Sequence, residues 1–260
     1  MSTAADEPIL LREDQDGLVT LTLNRPKQYN ALSEALLAAV QSELDSIATD
    51  GSIRAVVLAA NGKAFCAGHD LKEMRATPVR ADYLDLFTRC SQVMLSIGRL
   101  PQPVIAKVQG IATAAGCQLV AACDLAVAAD TARFATSGIN VGLFCATPGV
   151  ALSRNVPRKA AFEMLVTGEF VSAEEARELG LVNRVAAPEA LNDVVEELVA
   201  RIVAKPRLAI AMGKALFYRQ IEVGTEAAYE DAGATMACNM MDDCALEGVQ
   251  AFIEKRPPSW

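Results

Sequence analysis

The stretch PVIAKVQGIATAAGCQLVAACDLAVAA, residues 103–129, contains two short apolar runs separated by a loop of small residues. The runs at 103–108 and 124–129 each predict a β-strand. The loop at 110–119 leads into the apolar residues 119–122, and a helix beginning there would point free backbone N–H groups and its positive dipole end at a ligand. Small residues also permit tight packing, so the loop alone predicts either a binding site or a close contact.

The residues before this stretch alternate between predicted strands and predicted helices. Residues 18–24 alternate apolar and polar side chains, and residues 53–60 are almost continuously apolar, so both segments predict strands. Residues 33–47 and 79–97 have helical patterns, with Ser33 as the N-cap of the first helix. This alternation predicts repeated βαβ units and a largely parallel sheet. Such sheets bind ligands at the carboxyl ends of their strands.

Toward the C-terminus the pattern becomes helical. The segments predicted as helices are 157–166, 172–179, 188–204, 206–222, 224–238 and 243–254. Pro157, Pro188 and Pro206 fit the first turn of a helix, where a missing N–H breaks no helical hydrogen bond. Ser172 and Glu175 have the spacing of a capping box. We therefore expect a helical C-terminal third that packs on the sheet or on another subunit.

The composition narrows the range of functions. The chain has 260 residues, of which 52% are apolar and 22% charged, with a net charge of −8 and a pI of about 4.9. Uniform acidity argues against nucleic-acid binding. The longest apolar stretch, 108–123, is too short to span a bilayer. Residues 1–11 are mixed and acidic, unlike a signal or transit peptide, which predicts a cytoplasmic protein that is not bound to a membrane.

Cysteine and histidine usage argues against a metal site. Seven cysteines occur without a C-x-x-C pair, and the chain has a single histidine, His69. Zinc sites draw their ligands from Cys, His and carboxylate side chains at characteristic spacings, and no such pattern is present. We therefore predict that the chain binds no metal and that its cysteines are reduced and mostly buried.

A second loop of small residues lies at 64–73, and its segment 65–73 carries a family resemblance. Its sequence, FCAGHDLKE, resembles the F-[CS]-A-G-x-D-[LI]-K-E loop of the enoyl-CoA hydratase/isomerase family, also called the crotonase superfamily. Four other segments are similar to that family's motifs in the same order: NRPKQYNAL at 24–32, GIATAAGCQLVAACD at 110–124, ARELGLVNRV at 176–185 and FIEKRP at 252–257. Each motif alone is weak, but together they are specific because they extend over nearly the whole chain.

The resemblance implies an α/β fold of the crotonase type, which is a spiral of ββα units followed by a helical C-terminal trimerisation segment. It implies an acyl-CoA-binding core over residues 1–195 and the helical segment over residues 196–260. It also implies an acyl-CoA as the small-molecule substrate, with no cofactor beyond the coenzyme A carried by that substrate. The expected assembly is a homotrimer or a dimer of trimers.

The family's shared chemistry is implied as well. Two backbone N–H groups stabilise the enolate oxygen of a thioester, and the matching positions here are His69 and Ala115. Each preorganised donor of this kind contributes about 10²–10³ in rate. Hydratases of the family use two glutamates as acid and base, whereas Gln118 and Gly138 stand at those positions. A glutamine cannot transfer a proton and a glycine has no side chain, so we expect weak or altered hydratase activity.

Substrate-binding positions follow from the same motifs. The resemblance implies contacts with the acyl-CoA at Lys27, Cys66, Ala67, Gly68, Asp70, Leu71, Phe252 and Lys255. Phe252 and Lys255 match C-terminal residues that reach the nucleotide end of the coenzyme in a neighbouring subunit. The alternatives are core packing for Phe252 and a solvated charge for Lys255. Lys72 is a further candidate for contact with the coenzyme phosphates.

Another side chain could carry protons in place of the missing glutamates. His69 titrates near neutrality when it is unperturbed, although a lone histidine is more often structural. Cys145 lies in the segment that replaces the second glutamate, where the loop at 142–148 is a few residues longer than usual, but the sequence offers it no evident base. Weaker candidates are Asn140, Glu73 and Glu163. Asp124, at the start of a strand, is predicted to have a structural hydrogen-bonding role.

Three functions therefore stay open. The first is an acyl-CoA-binding member of the hydratase/isomerase family with weak or altered hydratase activity. The second is an enzyme of the same fold in another class, such as an isomerase, a decarboxylase or a thioester hydrolase, which would need a different proton carrier. The third is a non-catalytic acyl-CoA binder.

Overall fold

Ten strands form two sheets within residues 7–260, the part of the chain that the computed structural model describes. The strands are β1 Leu10–Gln15, β2 Leu18–Leu23, β3 Ala55–Ala60, β4 Ala64–Cys66, β5 Val104–Val108, β6 Ile111–Thr113, β7 Leu125–Ala129, β8 Arg133–Ala135, β9 Val171–Ser172 and β10 Arg184–Ala186. The six-stranded sheet has the order β1-β2-β3-β5-β7-β10 and is parallel except for the β1–β2 pair. The four-stranded sheet has the order β4-β6-β8-β9, and only its β8–β9 pair is antiparallel.

Eleven α-helices connect and cover these sheets in the described part of the chain. They are α1 Glu34–Thr49, α2 Leu71–Ala76, α3 Arg80–Arg99, α4 Ala115–Ala122, α5 Ala146–Asn155, α6 Arg158–Thr167, α7 Ala173–Glu178, α8 Leu191–Val203, α9 Arg207–Gln220, α10 Thr225–Met240 and α11 Asp243–Glu254. Short 3₁₀ turns occur at Pro26–Gln28, Ser137–Val141 and Pro188–Ala190.

The chain repeats one pattern three times. A strand of the large sheet (β3, β5 or β7) is followed by a short strand of the small sheet (β4, β6 or β8) and then by helical chain. This repeat confirms the predicted spiral of ββα units. The sequence analysis treated residues 64–73 and 110–119 as loops, whereas they contain β4 and β6. Because each of these strands has only three residues, alternation of side chains cannot reveal them.

The large sheet is buried on both faces, as the nearly continuous apolar run of β3 predicts. Val56 and Leu58 point into the main core, together with apolar residues of α1, α3 and α4. Ala55, Val57 and Ala59 point to the other face, where they pack against α8. Successive side chains of a strand point to opposite faces, so a strand between two cores must be apolar throughout.

The predicted helix starts are mostly confirmed. The Ser33 side chain accepts a hydrogen bond from the Leu36 N–H at 3.1 Å, and Ser172 begins α7 with a complete capping box. Pro188 occupies the first turn of a 3₁₀ segment. Pro157 and Pro206 differ slightly from the prediction, because each is the N-cap residue that precedes its helix. Helix α5 was not predicted; its first turn contains Pro148 and Gly149, which are poor helix formers.

The C-terminal helices are helical as predicted but pack loosely on the rest of the chain. Helices α9 and α10 contain no buried residue and pack chiefly against each other. The predicted boundary between residues 195 and 196 falls inside α8, whose apolar face belongs to the smaller core. Within residues 7–260, no helix is both long enough and apolar enough to span a bilayer.

A largely buried polar cluster connects α9 to strands β5 and β7, although no residue of α9 is fully buried. The Asp124 carboxylate accepts hydrogen bonds from the Val104 N–H at 2.6 Å, the Lys214 ammonium at 2.6 Å and the Tyr218 hydroxyl at 2.7 Å. Lys214 also donates to two main-chain carbonyls. Burial lowers the pKa of Lys214, which Asp124 partly offsets, and burial raises the pKa of Tyr218. The structural role predicted for Asp124 is confirmed, although its partners on α9 were not foreseen.

Candidate active site

The two glycine-containing loops singled out in the sequence touch each other through their glycines. A Cβ atom on Gly116 would lie 2.1 Å from the Cys66 carbonyl oxygen, so only glycine fits there. Gly68 has a φ of +93°, and a Cβ atom on it would lie 2.9 Å from the Ala114 Cβ and 3.3 Å from the Ala115 nitrogen. The glycines therefore bring the start of α4 directly against the segment that follows β4.

The backbone N–H groups of His69 and Ala115 are free at this junction. The Leu32 backbone pairs with the two residues that flank His69. Its N–H donates to the Gly68 carbonyl at 2.8 Å, and its carbonyl accepts from the Asp70 N–H at 3.1 Å. That pairing leaves the His69 N–H without an acceptor among the described residues. Ala115 is the first residue of α4, where a helix leaves its N–H unpaired. Two unpaired donors from neighbouring loops are the arrangement that an oxyanion hole requires.

Both residues line a cavity of about 240 Å³ that is mostly apolar. Its walls are formed by Ala67, His69, Leu71, Met74, Phe87, Ala114, Ala115, Ser137, Gly138, Val141, Leu143, Phe144, Cys145, Ala146, Thr147 and Pro148. No Asp, Glu, Lys or Arg is among the described residues that form these walls. An apolar cavity with a few converging polar groups is typical of a small-molecule site.

The His69 imidazole is an unpaired polar group in this cavity. Both of its ring nitrogens are buried and have no hydrogen-bond partner among residues 7–260. The edge of the neighbouring Phe87 ring packs against it, with 5.5 Å between ring centroids and 64° between planes. Burial lowers the pKa of His69, and an interaction with the Leu32 backbone opposes this only in part. The ring is therefore neutral near pH 7.

Gln118, which the motif resemblance matches to the first family glutamate, is enclosed in the protein. Its side chain is on α4, only 4% of the residue is exposed, and it is absent from the cavity walls. The Oε1 atom has no hydrogen-bond partner among the described residues. A carboxylate in the same place would be a buried charge without a partner, which is costly.

Gly138, which the motif resemblance matches to the second family glutamate, is covered by the loop that follows it. A Cβ atom on Gly138 would lie 2.6 Å from the Leu143 carbonyl oxygen and 2.7 Å from the Cys145 Sγ. The Leu143 N–H donates to the Gly138 carbonyl at 3.0 Å, which holds the loop in this position. The loop therefore occupies the space into which a side chain at residue 138 would extend.

Cys145 lines the cavity but is not activated as a nucleophile. Burial raises the pKa of its thiol, while a backbone contact with Gly138 lowers that pKa by less. No basic side chain hydrogen-bonds to it in the part of the chain that the structure describes. A neutral, buried thiol is a weak nucleophile, so the structure gives no support to nucleophilic catalysis by Cys145.

Other residues of the FCAGHDLKE motif stabilise the loop rather than face the cavity. The Asp70 carboxylate is the N-cap of α2, accepting from the Lys72 and Glu73 N–H groups, and it forms an ion pair with Arg25 at 3.1 Å. Cys66 is fully buried, which raises the pKa of its thiol to about 12. By contrast, the structure places Ala67 and Leu71 on the cavity wall.

Sequence reasoning missed the part that Asn30 plays in building the site. Asn30 is fully buried, and its side chain accepts from the Arg25 N–H and donates to the carbonyls of Asn61 and Ala64, each at 2.8 Å. It thereby joins the chain before α1 to the start of β4. Asn30 is part of the NRPKQYNAL motif, which could have drawn attention to it. The sequence does not reveal, however, which backbone groups its side chain binds.

The predicted coenzyme contacts lie away from the cavity within this single chain. Lys27 is exposed in a 3₁₀ turn, and Lys255 is exposed just after α11. Phe252 is 84% exposed, so the alternative that it packs in the core is wrong. None of the three residues lines the cavity, and contact with a bound coenzyme stays a prediction for each.

Replacing Ala114 by glycine is expected to stabilise the protein by about 1 kcal/mol, because Ala114 has a strained backbone. Its φ of 51° and ψ of −121° belong to a conformation that glycine adopts readily and alanine does not. Chemical unfolding measures the change. The matched control is Ala121→Gly in the regular part of α4, which should cost about 1 kcal/mol. Destabilisation by both substitutions would contradict the assignment of strain to Ala114.

A spiral of ββα units with two free backbone amides at an apolar cavity defines the crotonase class of fold and site. Residues 13–260 match the family model described as Enoyl-CoA hydratase/isomerase, and the chain belongs to that family. A solved structure of an enoyl-CoA hydratase from Mycobacterium smegmatis is 72% identical, with a TM-score of 0.97 over 98% of this chain and 99% of that one.

Two relatives illustrate the range of similar proteins. The rat protein named "Enoyl-CoA hydratase domain-containing protein 3, mitochondrial" is 44% identical over 95% of this chain and 82% of its own length. The 2,3-dehydroadipyl-CoA hydratase of Escherichia coli is 32% identical over 96% of this chain and 98% of its own length. The similarity therefore extends over nearly the whole chain in each comparison.

The comparisons contradict the predicted cytoplasmic location. Relatives from rat, mouse, Xenopus laevis and human, all 43–44% identical to this chain, are mitochondrial by name. The prediction depended on the acidic composition of residues 1–11, of which residues 1–6 lie outside the described part of the chain. Composition near a terminus does not determine the compartment of a folded domain, which explains the failure of that prediction.

Proposed function

We propose that this protein binds an acyl-CoA thioester in the apolar cavity, with the thioester oxygen between the His69 and Ala115 amides. We further propose that its hydration of enoyl thioesters is weak. The observation that carries the proposal is the pair of unpaired N–H groups at the wall of a cavity whose described lining has no carboxylate. Membership of the hydratase/isomerase family supports the acyl-CoA as ligand.

The two amides suit the chemistry of an enolate. When a proton leaves the carbon next to the thioester, negative charge develops on the oxygen, and preorganised donors stabilise that charge without rearrangement. Ala115 is at the N-terminus of α4, whose dipole adds to the effect. Because both donors belong to the backbone, neither an alanine nor a histidine side chain at these positions impairs the function.

The loop between Gly138 and Pro148 contributes the apolar part of the binding surface. Val141, Leu143 and Phe144 line the cavity yet are largely exposed at its mouth. These side chains would be covered by an acyl chain that enters the cavity, and burial of apolar surface favours binding. The same loop that fills the second glutamate position thus provides contacts for the substrate.

We also propose that the chain assembles as a homotrimer or a dimer of trimers through its C-terminal helices. Large apolar side chains on α9, α10, α11 and the tail are exposed in the single chain: Leu208, Phe217, Ile221, Tyr229, Met236, Met240, Leu246, Phe252, Ile253 and Trp260. Exposed apolar side chains concentrated on one part of a chain are typical of a surface that another subunit covers. In such an assembly, Phe252 and Lys255 would contact a coenzyme bound to the neighbouring subunit.

Acyl-CoA is expected to raise the melting temperature of the protein. A ligand that binds only the folded state adds about 2.7 kcal/mol of stability at 100 times its Kd. Acetyl-CoA is compared with S-ethyl-CoA, a thioether that lacks only the carbonyl oxygen. Acetyl-CoA should bind about thirtyfold more tightly, because two net hydrogen bonds of about 1 kcal/mol each contribute about 2 kcal/mol. No thermal shift at millimolar acetyl-CoA would contradict binding, and equal affinities would contradict the role of the amides.

A further inference from the structure

A second cavity, of about 230 Å³, lies between the large sheet and helix α8. Its walls combine apolar side chains, among them Val57, Val195 and Val199, with the polar side chains of Lys107 and Asn192. The described residues that line it are all different from those that line the candidate active site. Because Val57 points to the face of the sheet that packs against α8, this cavity and the main core lie on opposite sides of the sheet. The cavity is therefore separate from the candidate active site.

Lys107 is an unusual residue for its place in the sheet. It follows Ile105 by two residues in β5 and so points to the same face, and it pairs with Val127 of β7 in the sheet register. Lysine side chains are rarely buried among apolar neighbours unless they are paired with a carboxylate. Packing alone therefore does not account for a lysine at this position. The same face of β3, β5 and β7 carries the apolar side chains of Ala55, Val57, Ala59, Ile105, Val127 and Ala129.

The Lys107 amine is only partly satisfied and remains accessible. Its Nζ donates one hydrogen bond, to the Asn192 Oδ1 at 2.9 Å, and that contact is exposed to solvent. An ammonium has three donors, yet no carboxylate lies within 4.0 Å of this one among the described residues. Burial lowers the pKa of Lys107, and the more distant carboxylates of Glu196 and Glu13 oppose this only in part. More of the amine is therefore neutral, and nucleophilic, than in a lysine surrounded by water.

We propose that Lys107 is a site of covalent acylation, at which a small acyl thioester such as acetyl-CoA transfers its acyl group to the side-chain amine. The neutral amine attacks the thioester carbonyl carbon, a C–N bond forms and the C–S bond breaks. The thiolate leaves and takes up the proton that the nitrogen loses, so the products are an amide and a free thiol. The step needs no other reactant and does not use the candidate active site, so it goes beyond the proposed function.

The acylated side chain suits the cavity better than the ammonium does. Acylation removes a positive charge whose burial is unfavourable, and the amide keeps one N–H for the single acceptor that Asn192 offers. A short acyl group would lie against the apolar side chains of Val57, Val195 and Val199, and burial of that group would stabilise the product. These walls favour acylation over methylation, because a methylated lysine keeps its charge.

Acetylation measured at each lysine tests the proposal with the full-length protein. The protein is incubated with millimolar acetyl-CoA at pH 8, and the acetylated fraction of each lysine-containing peptide is followed over time by mass spectrometry. Lys107 is expected to react about tenfold faster than Lys159, an exposed lysine on α6. The rate at Lys107 should also level off at a lower pH than the rate of a lysine in a short model peptide, because burial lowers the pKa of Lys107.

Asn192→Asp is the matched variant, because it keeps the size of the side chain and places a carboxylate beside the Lys107 amine. An opposite charge favours the protonated amine, so acetylation of Lys107 should slow by about tenfold while that of Lys159 is unchanged. The melting temperature of the variant verifies that it folds. Acetylation of Lys107 no faster than that of Lys159, or an unchanged rate in Asn192→Asp, would overturn the proposal. Both results would leave the proposed function standing, since Lys107→Arg should keep the thermal shift with acetyl-CoA.

Discussion

Hydration of crotonyl-CoA by the purified protein is expected to have a kcat/KM well below the usual enzyme range of about 10⁴–10⁸ M⁻¹s⁻¹. A positioned acid or base contributes about 10²–10⁴ in rate, and neither position supplies one here. The amides of His69 and Ala115 lower the energy of the enolate but cannot activate water. Hydration is followed by loss of absorbance of the conjugated thioester, and a value inside the usual range would disprove this interpretation.

Introducing glutamates at residues 118 and 138 is not expected to raise the rate of hydration. Gln118→Glu with Gly138→Glu would be an obvious repair if the loop left space, but a Cβ atom at 138 meets the Leu143 carbonyl at 2.6 Å. We therefore expect Gly138→Glu to destabilise the protein and to displace the loop. The matched control is Gly98→Glu, since nothing lies within 4 Å of a Cβ atom at that helical position. A stable Gly138→Glu variant with raised hydratase activity would contradict the assignment.

Lys214→Ala is expected to destabilise the protein by about 3–5 kcal/mol, because it leaves the Asp124 carboxylate buried without its cation. The Lys214 side chain is 7% exposed and its ammonium lies 2.6 Å from Asp124. Denaturant unfolding measures the loss. The control is Lys159→Ala on an exposed face of α6, which should change stability by about 0.5 kcal/mol or less.

A double-mutant cycle separates the buried pair from other effects of the lysine. Lys214→Met with Asp124→Asn removes both charges, so the combined loss should be smaller than the sum of the two single losses. Additive losses would mean that the ion pair does not contribute as a unit. A loss for Lys214→Ala no larger than that for Lys159→Ala would show that α9 is held by other contacts.

The sequence predicted those strands and helices whose apolar periodicity extends over enough residues to be recognised. The apolar run of β3 indicated a sheet covered on both faces, and Ser33 and Ser172 marked the starts of their helices correctly. The second sheet was missed because β4, β6 and β8 have three residues each, which is shorter than the two or three alternations that a strand pattern needs. Their existence depends on pairing between segments that are distant in the chain.

Only some features of the candidate site could likewise be predicted from the sequence. The need for glycine at residues 68 and 116 follows from close backbone approach, which a loop of small residues suggests from sequence alone. The sequence could not predict that the space beside Gly138 is occupied. That depends on the loop conformation, which places the Leu143 carbonyl and the Cys145 thiol there. The unpaired nitrogens of His69 are likewise a property of the folded cavity and not of any local pattern.

The loop folded over Gly138 also constrains the order in which mutations could introduce two carboxylates into this site. A glutamate introduced first at residue 138 would clash with the loop. It would destabilise the protein before it could contribute to catalysis. The loop would have to shorten or move beforehand, at the expense of the apolar wall that Leu143 and Phe144 provide. A series of single substitutions toward a two-carboxylate site therefore passes through a destabilised intermediate.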